Sequence, residues 1–397
     1  MSKYIYWGAL PWEHDGGAVV NYYLLKKQHE LRSRDIYYGV PKVQHEVDPS
    51  ALKWVNFPRI RTYNDIVDTI YKNKIELMNM FHVGHEDFEQ ILDPIMELGT
   101  KTVLHQTLHW NDDVILNCDR LEDIDKIVCP TVYAQDIFIR ERKIRRRNTT
   151  VIPHAVDDTK FYRPPDAERN LYKEKLDIRP DQKVIVYSGR LGLWKGIREL
   201  VPILRPLYME HDCVFLIRGS QFGDREGKAL DYILKRISRE NPNVRYYPDW
   251  MSPEFMERMY QIADIMLFNS GHEGFGVPLI EAQAVGAVPV TTALANHIEI
   301  CGRDGNTSKI IAPTVDVGEV NDGTRVKVGS SDAVYGAVKW LLENPVEAEV
   351  MGKRGRANVQ KRFRLEDICH RWLALYDSMV PDPYNPDASL AKSLNTE

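Results

Sequence analysis

Glu273 and Glu281 bracket the segment Gly274-Phe275-Gly276-Val277-Pro278-Leu279-Ile280, a set of residue types able to hold a ligand that carries both phosphate and hydroxyl groups. Upstream, Ile265-Met266-Leu267-Phe268 has the length and apolarity of a buried strand, Gly271, Gly274 and Gly276 interrupt it, and Pro278 suits the first turn of a helix. Glu273 therefore falls on a loop and Glu281 in the helix that follows. A helix start leaves backbone N–H groups unpaired at its partly positive end, and glycines let a ligand approach the main chain closely, which together suit phosphate. Carboxylates repel phosphate but accept hydrogen bonds from sugar or ribose hydroxyls. The competing reading makes Glu273 an ordinary loop residue and Glu281 a carboxylate that favours the helix dipole.

A second loop carries fixed cations. Strand Val184-Ile185-Val186-Tyr187 is followed by Ser188-Gly189-Arg190-Leu191-Gly192-Leu193-Trp194-Lys195-Gly196, which opens a helix at Ile197. Arg190 offers a planar fork of donors and Lys195 a point charge, so the two could neutralise a diphosphate without a metal. Near the start, Gly8-Ala9-Leu10-Pro11-Trp12-Glu13-His14-Asp15-Gly16-Gly17-Ala18 links the first strand to a helix, and Gly16 and Gly17 would allow close backbone approach. Gly-Gly is also frequent in ordinary turns.

His105-Gln106-Thr107-Leu108-His109 differs by one residue from a zinc-binding HExxH run. Gln106 cannot act as general base and the run follows a strand, so His105 is read as a site residue facing a cleft and no metal is expected. His82 and His85 read as core or rim histidines. Gly223-Asp224-Arg225-Glu226-Gly227-Lys228 is one residue short of a phosphate loop and lacks its Ser or Thr. The run Arg140, Arg142, Lys143, Arg145, Arg146 and Arg147 reads first as a solvated basic helix face, with an anionic surface or nucleic acid as the alternative.

These residues need a scaffold. Short apolar strands at Tyr4-Ile5-Tyr6-Trp7, Leu77-Met78-Asn79-Met80-Phe81, Lys101-Thr102-Val103-Leu104 and Lys126-Ile127-Val128-Cys129 alternate with helical stretches, which implies a parallel sheet covered by helices. The pattern restarts after a polar, proline-bearing stretch at 157–181, with strands at Lys183-Val184-Ile185-Val186-Tyr187, Val214-Phe215-Leu216-Ile217, Val244-Arg245-Tyr246-Tyr247, Ile265–Phe268 and Val288-Pro289-Val290-Thr291. A hinge and a second α/β domain follow. Doubly wound sheets bind ligands outside the carboxyl ends of their strands, so two facing domains would place the site in a cleft between them. At 397 residues the chain has room for two domains of about 200 residues each.

Composition fits an enzyme of ordinary globular type, with 43% hydrophobic and 27% charged residues. No apolar run approaches the ~20 residues that cross a bilayer, and Met1-Ser2-Lys3-Tyr4-Ile5-Tyr6-Trp7 shows no signal-peptide pattern, so a cytoplasmic location is expected. Five scattered cysteines form no CxxC pair and fit reduced thiols. A formal net charge of -5 argues against a chain that is basic throughout.

Taken together, Ser188-Gly189-Arg190 with Lys195-Gly196, the stretch from Glu273 through Glu281-Ala282, and Gly286-Ala287-Val288-Pro289-Val290 resemble the retaining GT-B glycosyltransferases of family 4. The resemblance covers residues 183 to about 300, and is looser in the first half, where Val151-Ile152-Pro153-His154-Ala155-Val156-Asp157 stands where relatives often have Asn-Gly before Val-Asp. It implies an α/β chain with two Rossmann-like, doubly wound parallel-sheet domains facing across a cleft. The expected divisions are an acceptor-side domain at 1–168, a nucleotide-sugar domain at 169–364, a helix at 365–380 crossing back to the first domain, and a tail at 381–397.

Carried over by position, the resemblance implies that Arg190 and Lys195 grip the donor diphosphate and that Glu281 accepts from the nucleotide ribose. Glu273, with Gly274, Phe275, Gly276 and Val277, would hold the sugar. Gly16 and Gly17 would border the donor, and His105 would lie near sugar and acceptor. The base would sit near Gly219 and the turn Tyr247-Pro248-Asp249-Trp250-Met251, which makes Trp250 and Met251 donor-site residues. The activity implied is retaining, metal-independent transfer of a UDP- or GDP-linked hexose to a glycan, glycolipid or other hydroxyl acceptor, with no cofactor. A DNA or lipid-headgroup acceptor would draw on the basic run at 140–147, and peripheral membrane contact is compatible with it. A sugar-nucleotide epimerase of the same architecture and a non-catalytic scaffold are the alternatives. Two departures bear on the donor: Ala293-Leu294-Ala295-Asn296-His297 replaces the usual glycine-bearing segment before Glu299, and 301–328 is longer than expected.

Overall fold

The computed structural model describes residues 3–7, 16–32, 35–39, 63–81, 85–108, 118–220, 225–248, 251–319 and 325–380. The chain divides into two compact units, Met1–Ala155 with Leu365–Glu397, and Val156–Arg364.

In the first unit, strands β1 (Lys3–Trp7), β2 (Asp35–Gly39), β3 (Leu77–Phe81), β4 (Lys101–His105), β5 (Lys126–Cys129) and β6 (Thr149–Val151) form one sheet in the order β2-β1-β3-β4-β5-β6, parallel throughout. Alternate side chains go to opposite faces. Ile5, Trp7, Met78, Met80, Leu104 and Ile127 share one core with helices α2 (Tyr63–Asn73), α3 (His85–Glu97) and α4 (Val132–Glu141), while Tyr4, Tyr6, Leu77, Phe81, Val103 and Val128 share another with α1 (Gly16–Leu31). The strand order reverses between β1 and β3, and α1 begins at Gly16 itself. Gly16 and Gly17 therefore form the first helical turn rather than the end of a loop.

In the second unit, β7 (Lys183–Arg190), β8 (Cys213–Ser220), β9 (Val244–Tyr247), β10 (Ile265–Phe268), β11 (Val288–Thr292) and β12 (Lys309–Ile311) are again all parallel, in the order β12-β11-β10-β7-β8-β9. Helices α5 (Asp166–Glu174), α6 (Ile197–Glu210), α7 (Arg225–Glu240), α8 (Pro253–Gln261), α9 (Val277–Val285), α10 (Ala295–Cys301), α11 (Ser331–Glu343) and α12 (Pro345–Arg362) accompany this sheet. Of these, α6, α7 and α11 supply residues to the core on one face, and α8, α9 and α12 to the core on the other. An antiparallel hairpin, β13 (Val315–Glu319) and β14 (Arg325–Val328), accounts for the extra length noted after Cys301. From α12 the chain passes into α13 (Leu365–Met379), whose Leu365, Ile368, Cys369, Trp372 and Tyr376 pack with Leu24 and Leu25 of α1 in the first unit.

The two doubly wound α/β domains expected from sequence are both present. Their seam in the chain falls at 155/156, so residues 156–168 group with the second unit rather than the first. The cause is local: the Val156 N–H donates to the Phe363 carbonyl at 2.9 Å, and Gln261 Nε2 donates to the Lys160 carbonyl at 2.7 Å. Strand β7 also extends three residues past Tyr187, because Ser188, Gly189 and Arg190 pair in register with Arg218, Gly219 and Ser220 of β8. Arg190 is thus the last strand residue and not a loop residue.

Strand order fixes where a ligand would lie in the second unit. The order reverses between β7 and β10, and the crevice outside the carboxyl ends of strands at such a reversal is the general binding position of open α/β sheets. The segments leaving those two strands are the ones that carry Arg190 with Lys195, and Glu273 with the glycine loop.

Candidate functional site

After Arg190, the chain turns through Leu193–Lys195, a single 3-10 turn, into α6. Gly196 makes the junction at φ 63°, a left-handed conformation that costs a side-chain-bearing residue about 1–2 kcal/mol. A Cβ there would also lie 2.7 Å from Asn269 Nδ2 and closer still to the Asn269 carbonyl. Asn269, 1% exposed at the end of β10, donates to the Gly329 carbonyl at 2.9 Å and accepts from the Gly329 N–H at 2.9 Å. The Trp194 carbonyl accepts from the Gly271 N–H at 2.7 Å. The Gly271–Trp194 bond ties the two motif-bearing segments to each other, and the Asn269–Gly329 pair fixes the end of β10 to the residue after β14.

The hairpin supports the same junction. Val317, Val326 and Val328 pack with Leu193 and Trp194, and a Cβ on Gly271 would fall 2.6 Å from Val326 Cγ1. Gly271 is there because the β14 strand passes against it.

The turn brings Lys195 onto Glu273, whose carboxylate accepts a hydrogen bond from the Lys195 ammonium; the two side chains are 18% and 13% exposed. Burial by itself would raise the Glu273 pKa, but the Lys195 charge and hydrogen bond outweigh it and hold the carboxyl below its ordinary value. Lys195 also stands 5.7 Å from the centre of the Phe268 ring. Sequence reading assigned the two residues to separate ligand groups; in the structure they are direct partners.

Gly274, Phe275 and Gly276 follow in buried positions, and Gly276 (φ 111°) leads into α9, where Val277 and Pro278 form the first turn. Phe275 packs edge-on against Phe363 at 6.1 Å. Glu281 lies within α9, and burial raises its pKa to about 7, opposed by a hydrogen bond from Tyr260. Tyr260 also meets Ser188 at the end of β7, so α8, α9 and β7 converge there.

Gly219 is buried in β8, where a Cβ would lie 2.6 Å from Leu191 Cδ2. Met251 lies just before α8 and Tyr247 packs edge-on against Phe255 at 4.9 Å. Trp250 and Asp249, with His82, His109 and residues 8–15, lie outside the described residues.

His105 ends β4 in the first unit and is 1% exposed, enclosed by Phe81 at 4.7 Å, Trp372 at 4.7 Å and His154 at 5.4 Å between ring centres. The basic run is at the surface of the same unit: Arg140 lies in the last turn of α4, and Arg146 and Arg147 sit in the turn before β6, with Asp136 3.7 Å from Arg140 and 3.6 Å from Arg146.

Sequence reasoning missed Asn269, Tyr260, Asn296 and His297. The last two lie at the start of α10, in the segment noted only as a departure. Asn296 Nδ2 donates to the Glu273 carbonyl at 2.8 Å and the Phe275 carbonyl at 3.1 Å. His297 is fully buried, with Nδ1 3.0 Å from Thr291 Oγ1 and 3.2 Å from the Thr292 carbonyl. Burial pushes its pKa down to about 4 against the pull of the Glu273 carboxylate, which keeps the ring neutral at pH 7.

Residues 168–358, just under half of the chain and all within the second unit, match the family model of glycosyl transferases group 1. Among curated proteins, the chain is 24% identical over 172 residues to mannosylfructose-phosphate synthase of Agrobacterium fabrum, covering 42% of this chain and 37% of that protein. It is 23% identical over 263 residues to alpha-galactosylglucosyldiacylglycerol synthase of Streptococcus pneumoniae, covering 66% of this chain and 62% of that one. The chain thus spans less than two thirds of the length of either relative. Among solved structures, Anabaena HepE in complex with UDP and glucose aligns with a TM-score of 0.73 at 16% identity, over 95% of this chain and 100% of that one, and shares the fold. Among the described residues, no helix is long and apolar enough to cross a membrane.

Proposed function

We propose that this chain is a glycosyltransferase that moves a hexose from a UDP- or GDP-linked donor to a hydroxyl of a glycan, glycolipid or other acceptor, with retention at the anomeric carbon. One observation carries the reading: Lys195 and Glu273 meet at the strand-order reversal of a group 1 domain, beside a glycine loop that leads into a helix. The relatives' names, which describe sugar-transferring synthases, support it, and so does a shared fold with a protein solved with UDP and glucose.

The difficult step is departure of a diphosphate from a carbon with oxocarbenium character. Lys195 and Arg190 would bear on the leaving oxygens as fixed positive charge, aided by the amide groups at the start of α9, so that charge developing in the transition state meets donors already in place. On this reading a metal is dispensable. A phosphate oxygen of the leaving group takes the acceptor proton on the same face of the sugar, which preserves configuration. Glu273 then positions sugar hydroxyls rather than attacking the carbon, and Glu281 accepts from the ribose. His105 and the donor-side roles of Gly16, Gly17, Gly219, Trp250 and Met251 belong to the same proposal.

The test is incubation with UDP-glucose and GDP-mannose and a mixture of hydroxyl acceptors, read by mass spectrometry, with the anomeric configuration of the product read by NMR. Transfer with retention in the presence of EDTA is the expected outcome. Change of the donor sugar with no acceptor present would favour an epimerase instead, and nucleotide binding without turnover a scaffold.

A further inference from the structure

Asn296 stands where the sequence departs from the pattern it otherwise resembles, and its side chain does specific work there. It is 4% exposed, and its amide nitrogen donates to two alternate carbonyls of the glycine loop, those of Glu273 and Phe275, at 2.8 and 3.1 Å. In a trans peptide the carbonyl of one residue and the N–H of the next point in opposite directions. Tying down the Glu273 and Phe275 carbonyls therefore aims the N–H groups of Gly274 and Gly276 away from Asn296. Among the described residues neither of those N–H groups donates to any group. These two donors lie within three residues of Glu273, whose carboxylate is an acceptor.

Asn296 is itself held. The neighbouring His297 is anchored through Nδ1 by Thr291 and Thr292 at the end of β11, and its ring lies against Gly276, where a Cβ would be 3.5 Å from His297 Cδ2. The start of α10 is a rigid bracket for the loop rather than a passive connection.

Donors and an acceptor side by side suit a group that both gives and takes hydrogen bonds, and a sugar hydroxyl is such a group, whereas a diphosphate can only accept. We propose that Asn296 is a positioning residue for the donor's sugar: it presents the Gly274 and Gly276 N–H groups to sugar hydroxyls and takes no part in holding the diphosphate. The proposal rests on the glycosyltransferase reading above.

The test compares wild type with Asn296→Asp, which keeps shape but replaces the donating nitrogen with an acceptor, using UDP, UDP-glucose, GDP and GDP-mannose as titrants. The expected result is sugar-nucleotide affinity weakened about tenfold or more, the loss of one to two hydrogen bonds, with bare UDP or GDP affinity unchanged within twofold. A uniform loss for both ligand types, or none for either, would overturn the proposal while leaving the glycosyltransferase reading intact. If wild type binds none of the four, that reading fails and the proposal with it. Should Asn296→Asp not fold, Asn296→Ala is titrated in its place and read by the same criterion.

Discussion

The Lys195 ammonium and the Glu273 carboxylate, 78 residues apart in sequence, form an ion pair that joins the turn after β7 to the loop after β10. Each satisfies the other. On the proposed reading, a donor entering this site would share or part the pair, and its phosphate and sugar ends would meet groups that already sense one another.

Replacing Lys195 with Ala is expected to lower turnover by about 10²–10³, the usual effect of removing one group that stabilises a developing oxyanion. It also leaves the mostly buried Glu273 without its cation, which should destabilise the fold by about 1–3 kcal/mol. Steady-state kinetics and denaturant titration measure the two effects separately; full activity in the variant would rule out the phosphate role.

Glu281, with its pKa raised to about 7, should make donor binding depend on pH. An ionised carboxylate is the better acceptor for ribose hydroxyls, so donor affinity is expected to improve as pH rises through about 7, and Glu281→Gln to flatten that profile. Stability runs the other way. A carboxyl whose folded pKa exceeds its ordinary value of 4.5 contributes stability below 4.5 and loses it as pH rises through 7. Relative to wild type, Glu281→Gln should therefore gain in melting temperature between pH 5 and pH 8, which thermal denaturation at the two pH values would check.

Gly196→Ala is expected to cost at least about 1–2 kcal/mol from its left-handed backbone alone, and more from the clash with Asn269. For a domain of this size each kcal/mol corresponds to about 2–4 °C of melting temperature. A variant that melts with wild type would show that the junction relaxes freely.

How much of this was legible in the sequence follows from the range of the interactions. Ile265–Phe268 and Lys126–Cys129 were read to the residue because a buried parallel strand is a continuous apolar run. The loop-then-helix placement of Glu273 and Glu281 was readable from Gly276 and Pro278. Strand β2, with Asp35 and two tyrosines, and the short β6 and β12 lack such a run and were missed. So was the β13–β14 hairpin, whose Val317, Val326 and Val328 alternate with polar residues and pack with Leu193, Trp194 and Val315 in a small cluster of their own. Asn269 and Asn296 escaped for a different reason: their partners lie 60 and 21 to 23 residues away, and nothing in a local pattern shows which carbonyl an amide will reach.

Trp372 of α13 is 1% exposed in the core shared with α1 and packs against His105. Trp372→Ala should destabilise the first unit by about 3–5 kcal/mol through the cavity it leaves, whereas the Lys195–Glu273 pair belongs to the other unit. Limited proteolysis with peptide mapping is expected to show early cutting within 1–155 and no early cutting within 183–300. Equal susceptibility of both would contradict the placement of α13 in the first unit's core.

On the proposed reading Lys195 and Glu273 divide the labour of donor binding, with Lys195 on the diphosphate and Glu273 on the sugar. Calorimetric titration of wild type, Lys195→Ala and Glu273→Gln with UDP, UDP-glucose, GDP and GDP-mannose tests it most directly. Lys195→Ala is expected to weaken the bare nucleotide and its sugar conjugate alike, about tenfold or more, and Glu273→Gln to weaken only the conjugate. Wild-type affinity for all ligands in Lys195→Ala, or equal loss of both ligand types in Glu273→Gln, would contradict it.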